Sequence, residues 1–165
     1  MHDLAQQLLE RIDAARLRRR LFDLVCVASP TGQTRAAASH YAGLLNEIGL
    51  SAALRPLEGR PESPAVVARR AGAGAAPALH YAGHLDTIHT PHAAPAIDGQ
   101  RIYGRGANDM KSGLIAIAET VQILLESGIS LPGDLLVTAY DMHEHPVGHG
   151  EGVFDLIDAG IYGES

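Results

Sequence analysis

Apolar residues fall at Leu4, Leu8, Leu9, Ile12 and Ala15, then at Leu21, Leu24 and Val25. The three- and four-residue spacing is that of one helix face, and it predicts one long amphipathic helix, or two joined ones, over residues 3–26. SPTGQT at 29–34 breaks the pattern, with Pro30 and Gly32 as turn signals and Thr34 as a cap for the next helix. That helix runs through AAASHYAGLLNEIGL and ends near Gly49, with His40 on its flank.

The period then changes. SAALRPL at 51–57 and PAVVARRAG at 64–72 read as short strands, the first placed at a sheet edge by Pro56. A glycine- and alanine-rich link at 71–77 leads to an apolar run at 78–83, the kind expected of a strand buried on both faces. Residues 87–99 read as a loop. A broad apolar face predicts a helix over 110–128, stopped by Gly128; GDLLVTAYD at 133–141 is a second buried strand, and 150–160 a short helix stopped by Gly160. Strands alternating with helices predict an α/β fold, a mainly parallel twisted sheet sandwiched by helices. In such sheets functional groups collect beyond the carboxyl ends of the strands, where His84, Asp86 and the segment 141–145 fall.

The chain of 165 residues suits one domain. Apolar residues make up 46% and charged ones 19%, a globular balance. A net charge of -6 gives no basic footprint for nucleic acid, and Arg16, Arg18, Arg19 and Arg20 read as the solvated face of a helix. The single Cys26, between Val25 and Val27, reads as a buried structural thiol. The N-terminus lacks the apolar core of a signal peptide and no run is long enough to span a membrane, so the expectation is a cytoplasmic protein with no membrane partner.

Three clusters carry chemistry. His84 and Asp86 are two apart in an extended segment and project to the same side, so one can bind a metal while the other steers it; a structural pair would look the same. GRGANDMKSG at 104–113 is no phosphate loop, because Met110 stands where that loop needs a glycine before its lysine. It presents Asp109 just ahead of a helix, as a ligand or as a cap. DMHEHPVGHGEG packs Asp141, His143, Glu144, His145, His149 and Glu151 behind an apolar strand, a density suited to metal binding. His89 and His92 offer two further ligands, or read more simply as ordinary loop histidines.

On GHLDT at 83–87, GRGANDMKSG at 104–113 and the acidic turn after LLVTAYD, the chain resembles the zinc-dependent aminoacylase, carboxypeptidase G and succinyl-diaminopimelate desuccinylase family of peptidase clan MH, from about Leu4 onward. The resemblance implies a zinc exopeptidase-like catalytic domain. It makes His84 a metal ligand, Asp86 its supporting catalytic carboxylate, and Asp109 the carboxylate bridging two metals. It also implies a cis peptide between Asp109 and Met110. The family carries two adjacent glutamates after the strand, a general base and then a ligand; here Glu144 and His145 align with them, so Glu144 becomes the base and His145 a ligand. Shifted by one residue, His143 is the replacement and Glu144 the ligand.

The family's further acidic ligand, dimerisation domain and last histidine ligand have no match, Glu164 lying too close behind Glu144. The resemblance therefore implies that residues 1–165 are the N-terminal part of an incomplete catalytic domain. In the intact enzyme the expected function is metal-dependent hydrolysis of amide bonds in peptides or N-acyl amino acids. One or two zinc ions would serve, with cobalt or manganese also suited to these ligands, and a homodimer is expected only at full length. The alternative is a non-catalytic remnant that binds metal weakly or a partner chain.

Overall fold

The structure, a computed structural model, describes residues 2–74 and 76–163. Among the described residues six strands and five helices follow in the order α1 (His2–Leu9), α2 (Ala14–Cys26), α3 (Arg35–Glu47), β1 (Ser51–Leu57), β2 (Arg60–Arg70), β3 (Ala76–His84), β4 (Ala96–Asp98), β5 (Arg101–Tyr103), α4 (Lys111–Glu126), β6 (Gly133–Tyr140) and α5 (Glu151–Asp158). The main sheet has the order β1-β2-β6-β3.

Along β6, Leu135, Val137 and Ala139 pack into one core cluster, while Leu136 between them packs into another. The strand is apolar on both sides because both sides are covered. On one face, Leu24 of α2, Ala38, Tyr41 and Leu45 of α3, and Leu114, Ala118 and Val121 of α4 close the larger cluster. On the other, Leu156 of α5 and Ile161 meet Leu57, Ala65 and Leu136. Each fully buried leucine or valine among them contributes about 1.5–3 kcal/mol by leaving water.

The α/β class holds, but the sheet is mixed rather than mainly parallel: β3 and β6 run parallel, whereas β1·β2 and β2·β6 are antiparallel. The long arginine-bearing β2 returns directly from β1 and needs no crossover helix. The run at 78–83 is corrected as well. β3 lies at the sheet edge and is exposed over most of its length, burying only Gly83 and His84, with Tyr81 half-buried against the larger cluster, so the run is not covered on both faces.

Residues 3–26 do divide into two helices. Asp13 restarts the second one by accepting the N–H groups of Ala15 and Arg16 at 2.9 Å each. The arginines after it are not simply a solvated face. Arg16 grips the buried Glu119 of α4 through Nε and Nη2 at 2.8 and 2.6 Å, and Arg20 stands 3.5 Å from the same carboxylate. Cys26 is exposed, because Leu24 and Val25 take the inward positions at the end of α2. β4, inside the expected loop, and β5, just after it, form a small hairpin closed by Gly99 and Gln100; Gly99 has φ +55°, and a glycine opening a two-residue connection was the available signal.

Candidate metal centre

The parallel register sets His84 opposite Tyr140, so β3 and β6 deliver their following residues to the same edge of the sheet. His84 is 2% exposed and Asp86 fully buried. Asp86 Oδ2 accepts three hydrogen bonds, from Thr31 Oγ1 at 3.0 Å and from the N–H groups of His143 and Glu144 at 3.0 and 2.8 Å. Met142 turns the chain for this purpose: its φ of 65° lies in the left-handed region, and the two amides after it converge on one anion. The second oxygen, Oδ1, has no hydrogen-bond partner and lies 3.4 Å from His84 Nδ1.

Asp109 comes from the opposite side. The loop after β5 folds tightly, because a side chain at Gly106 would stand 2.9 Å from Thr87 and 3.1 Å from Lys111. Lys111, 1% exposed, ties the start of α4 to the end of α2 through Nζ, which donates to Val27 O at 2.7 Å and Leu24 O at 3.2 Å. The peptide between Asp109 and Met110 is cis, as the resemblance implies. The Asp109 side chain is 70% exposed, and its Oδ1 lies 3.1 Å from His84 Nε2.

His84, Asp109 and Glu144 each offer a ligand atom, and the three atoms lie within 4.8 Å of one another. Two ligands bound to zinc at about 2 Å and a tetrahedral angle stand roughly 3.3 Å apart, close to the His84–Asp109 separation. The tautomer fits as well. His84 Nδ1 faces the carbonyl of Asp86 at 3.1 Å and so carries the proton, which leaves the Nε2 lone pair for an ion. Burial disfavours the charge on His84, but Asp86 and Asp109 outweigh it and raise the pKa above the usual imidazole value. Burial likewise opposes the charge on Asp86, and His84, the Glu144 amide and Thr31 overcome it, lowering that pKa. One imidazole and two carboxylates with a buried carboxylate behind them are a donor set for a divalent ion of the zinc, cobalt or manganese kind.

His145 stands outside this group and Glu144 inside it. His145 is exposed, its ring set edge-on to His149 at 5.2 Å, because the two amides held by Asp86 carry the chain past the site at Glu144. His143 stacks on His84 with ring centroids 4.2 Å apart. His89 bonds Thr31 O at 2.8 Å and His92 bonds Ala93 O, each a loop contact. Glu164 lies outside the described residues.

Sequence reasoning passed over the braces. Asp141, fully buried, accepts the Gly32 N–H at 3.1 Å and Thr34 Oγ1 at 2.9 Å, so Thr34 spends its hydroxyl on the site and makes no side-chain cap for α3. The turn residues at 29–34 were the visible signal, and nothing local tied them to a residue so far along the chain. Beside the group opens a cleft of about 510 Å³ lined by Asp109, Glu144, Asn108, Tyr103, Arg105 and His92 among others.

Comparison with known proteins adds three kinds of likeness. A model of the peptidase family M20/M25/M40 matches residues 80–163, just over half of the chain. The N-formyl-4-amino-5-aminomethyl-2-methylpyrimidine deformylase of Bacillus subtilis is 33% identical over 121 residues, 67% of this chain and 28% of that protein. A succinyl-diaminopimelate desuccinylase of Methylobacterium radiotolerans is 33% identical over 140 residues, 78% of this chain and 35% of that protein. The chain thus spans about a third of the length of these relatives. Human carnosine dipeptidase 1 shares the fold with a TM-score of 0.75 at 20% identity, over 98% of this chain and 40% of that one.

Proposed function

The chain belongs to the peptidase family M20/M25/M40, and from that premise we propose that its centre serves metal-dependent hydrolysis of amide bonds in peptides or N-acyl amino acids. The observation that supports this reading is the convergence of His84, Asp109 and Glu144 beside an open cleft. The names of the two relatives, a deformylase and a desuccinylase, support an acyl group as the part removed. The alternative of a non-catalytic remnant is not favoured, since those relatives bear enzyme names and the ligand group is assembled within these residues.

We assign zinc to the site, held by His84 Nε2 and the carboxylates of Asp109 and Glu144; a second ion would share Asp109. Bound there, zinc would polarise the scissile carbonyl and lower the pKa of a water. Asp86 keeps the imidazole of His84 in one tautomer and one orientation. Glu144 also lines the cleft, and to it we assign the proton of the attacking water. The cleft would hold the acyl chain and exclude bulk water from one side of the reacting amide. A cytoplasmic location, and a homodimer for the full-length protein, complete the proposal; among the described residues no helix is long and apolar enough to cross a membrane.

The test is to strip the full-length protein with a chelator, reload it with zinc, and follow amine release from a panel of N-acyl amino acids and dipeptides. Turnover should return with zinc and be lost in His84→Ala. A panel on which zinc restores nothing overturns the reading.

A further inference from the structure

The turn from β6 to α5 holds more donor groups than the metal centre takes. Glu144 enters the ligand group and His143 stacks on His84, while His145 and His149 are left over, both exposed. Their base is fixed. Gly148 N–H donates to Glu144 O and Gly150 N–H to Met142 O, at 2.8 Å each, so the backbone closes beneath them. A side chain at Gly148 would collide with the Met142 carbonyl, so that closure is tight.

The two rings meet edge-on, with centroids 5.2 Å apart. His84, His89 and His92 each spend a ring nitrogen on a carbonyl; among the described residues no hydrogen bond engages either ring of this pair, the His149 bond to Glu151 running through its backbone N–H. An imidazole centre lies roughly 1.1 Å behind its nitrogen, so two rings on one tetrahedral ion at about 2 Å have centroids roughly 5.2 Å apart. The observed separation is that of a shared ion. Charge acts in the same direction: Glu151 Oε2 accepts the His149 N–H at 2.6 Å and keeps a carboxylate beside it, in a chain with a net charge of -6.

We propose that His145 and His149 form a second metal site, for a late first-row ion such as nickel or zinc, separate from the centre at His84, Asp109 and Glu144. Two imidazoles suit those ions, and water completes the coordination. The histidines stand four residues apart across a closed turn, so an ion between them clamps the loop that presents Glu144. Its occupancy follows the free metal concentration, independently of the centre. The inference goes beyond the amide-hydrolase reading and does not depend on it.

The test resolves the histidines one by one. Full-length protein with zinc in its centre is titrated with nickel, followed by equilibrium dialysis and by diethyl pyrocarbonate labelling read by mass spectrometry. Nickel should bind in addition to the zinc and reduce labelling of His145 and His149 at least fivefold, while the exposed His40 is labelled as before. In His149→Ala the added nickel should bind at least tenfold more weakly and no longer protect His145; His145→Ala should have the same effect on His149. Dismantling the centre with His84→Ala should leave the protection in place. Should that variant fail to fold, nickel must still protect both histidines in chelator-stripped wild type. Labelling unchanged by nickel, protection of one histidine that persists without the other, or an unchanged nickel affinity in both variants overturns the proposal and leaves a bare edge-on contact of two rings. Protection lost in folded His84→Ala overturns it as well, by making the pair part of the centre. Protection that holds in a protein without zinc-dependent turnover would instead remove the hydrolase reading and leave the second site standing.

Discussion

Asp86 Oδ2 accepts the backbone N–H of Glu144 at 2.8 Å, so a carboxylate at the end of β3 fixes the residue that faces His84 across the ligand group. The same side chain stands behind the His84 ring, and one residue therefore sets both sides of the site.

Replacing Asp86 by Asn keeps the shape and removes the charge that gathers these donors. Zinc affinity, measured by competition with a chromophoric chelator, should fall about 10–100-fold, the usual effect of removing a carboxylate behind a ligating histidine. An affinity equal to wild type would show that Asp86 does not support the ligands.

Glu144→Gln separates its two assigned roles. As a ligand, Glu144 is needed for the ion, so the variant should lose at least tenfold in zinc affinity and at least 10²-fold in turnover. Full zinc binding with turnover lost would leave Glu144 as base alone and return the ligand position to another residue.

Gly83 sits where β3 meets the start of α4. An added Cβ would lie 2.7 Å from the Met110 methyl and 2.8 Å from Leu114 Cδ2, and the Met110 sulfur it displaces accepts the His84 N–H at 3.3 Å. Gly83→Ala should destabilise by about 1–3 kcal/mol, as overpacking does, and weaken zinc binding severalfold. Urea unfolding with and without zinc reads both effects, and a variant unchanged in both would mean that Met110 moves aside freely.

Acid should act through Glu119, away from the metal group. Burial opposes its charge, but Arg16 and the Asp13 amide outweigh it and hold its pKa below the ordinary glutamate value of 4.5. A carboxylate depressed on folding contributes stability that is complete above its unfolded pKa and is lost as pH falls through the folded value. Glu119→Gln should therefore be less stable than wild type at pH 7 by roughly 2 kcal/mol, the side chain being nearly buried and its partners partly solvated. That gap should close as the pH drops below 4.5. A gap that stays constant into the acid transition would mean that the ion pairs contribute nothing through charge.

Periodicity made α4 and β6 legible, since each buries a face or both faces against many neighbours and the requirement is written into consecutive residues. His84 and Asp109 were legible for a different reason: one ends a strand and the other precedes a helix, positions defined by local signals. That Glu144, and not His145, stands beside them was not, because the register of a loop is decided by where its amides are held. Here that is Asp86, reached from a turn at Met142 that no alternation of residues announces. The edge position of β3 escaped for a related reason: an apolar run states that a strand will be covered, without stating by what.

The open side of β3 also bears on how these residues behave in the test tube. Among the described residues its outer N–H and C=O groups have no ladder partner, and Leu79 beside them is 41% exposed. Unpaired main-chain groups recruit one another irrespective of sequence, so the 165-residue polypeptide prepared by itself should self-associate with rising concentration. Since the attraction runs through the backbone, added salt should relieve it little, while a lysine at the exposed Ala82 should relieve it clearly. For anyone purifying these residues, the first practical determinant is a strip of peptide groups, and the chemistry of the metal group comes second.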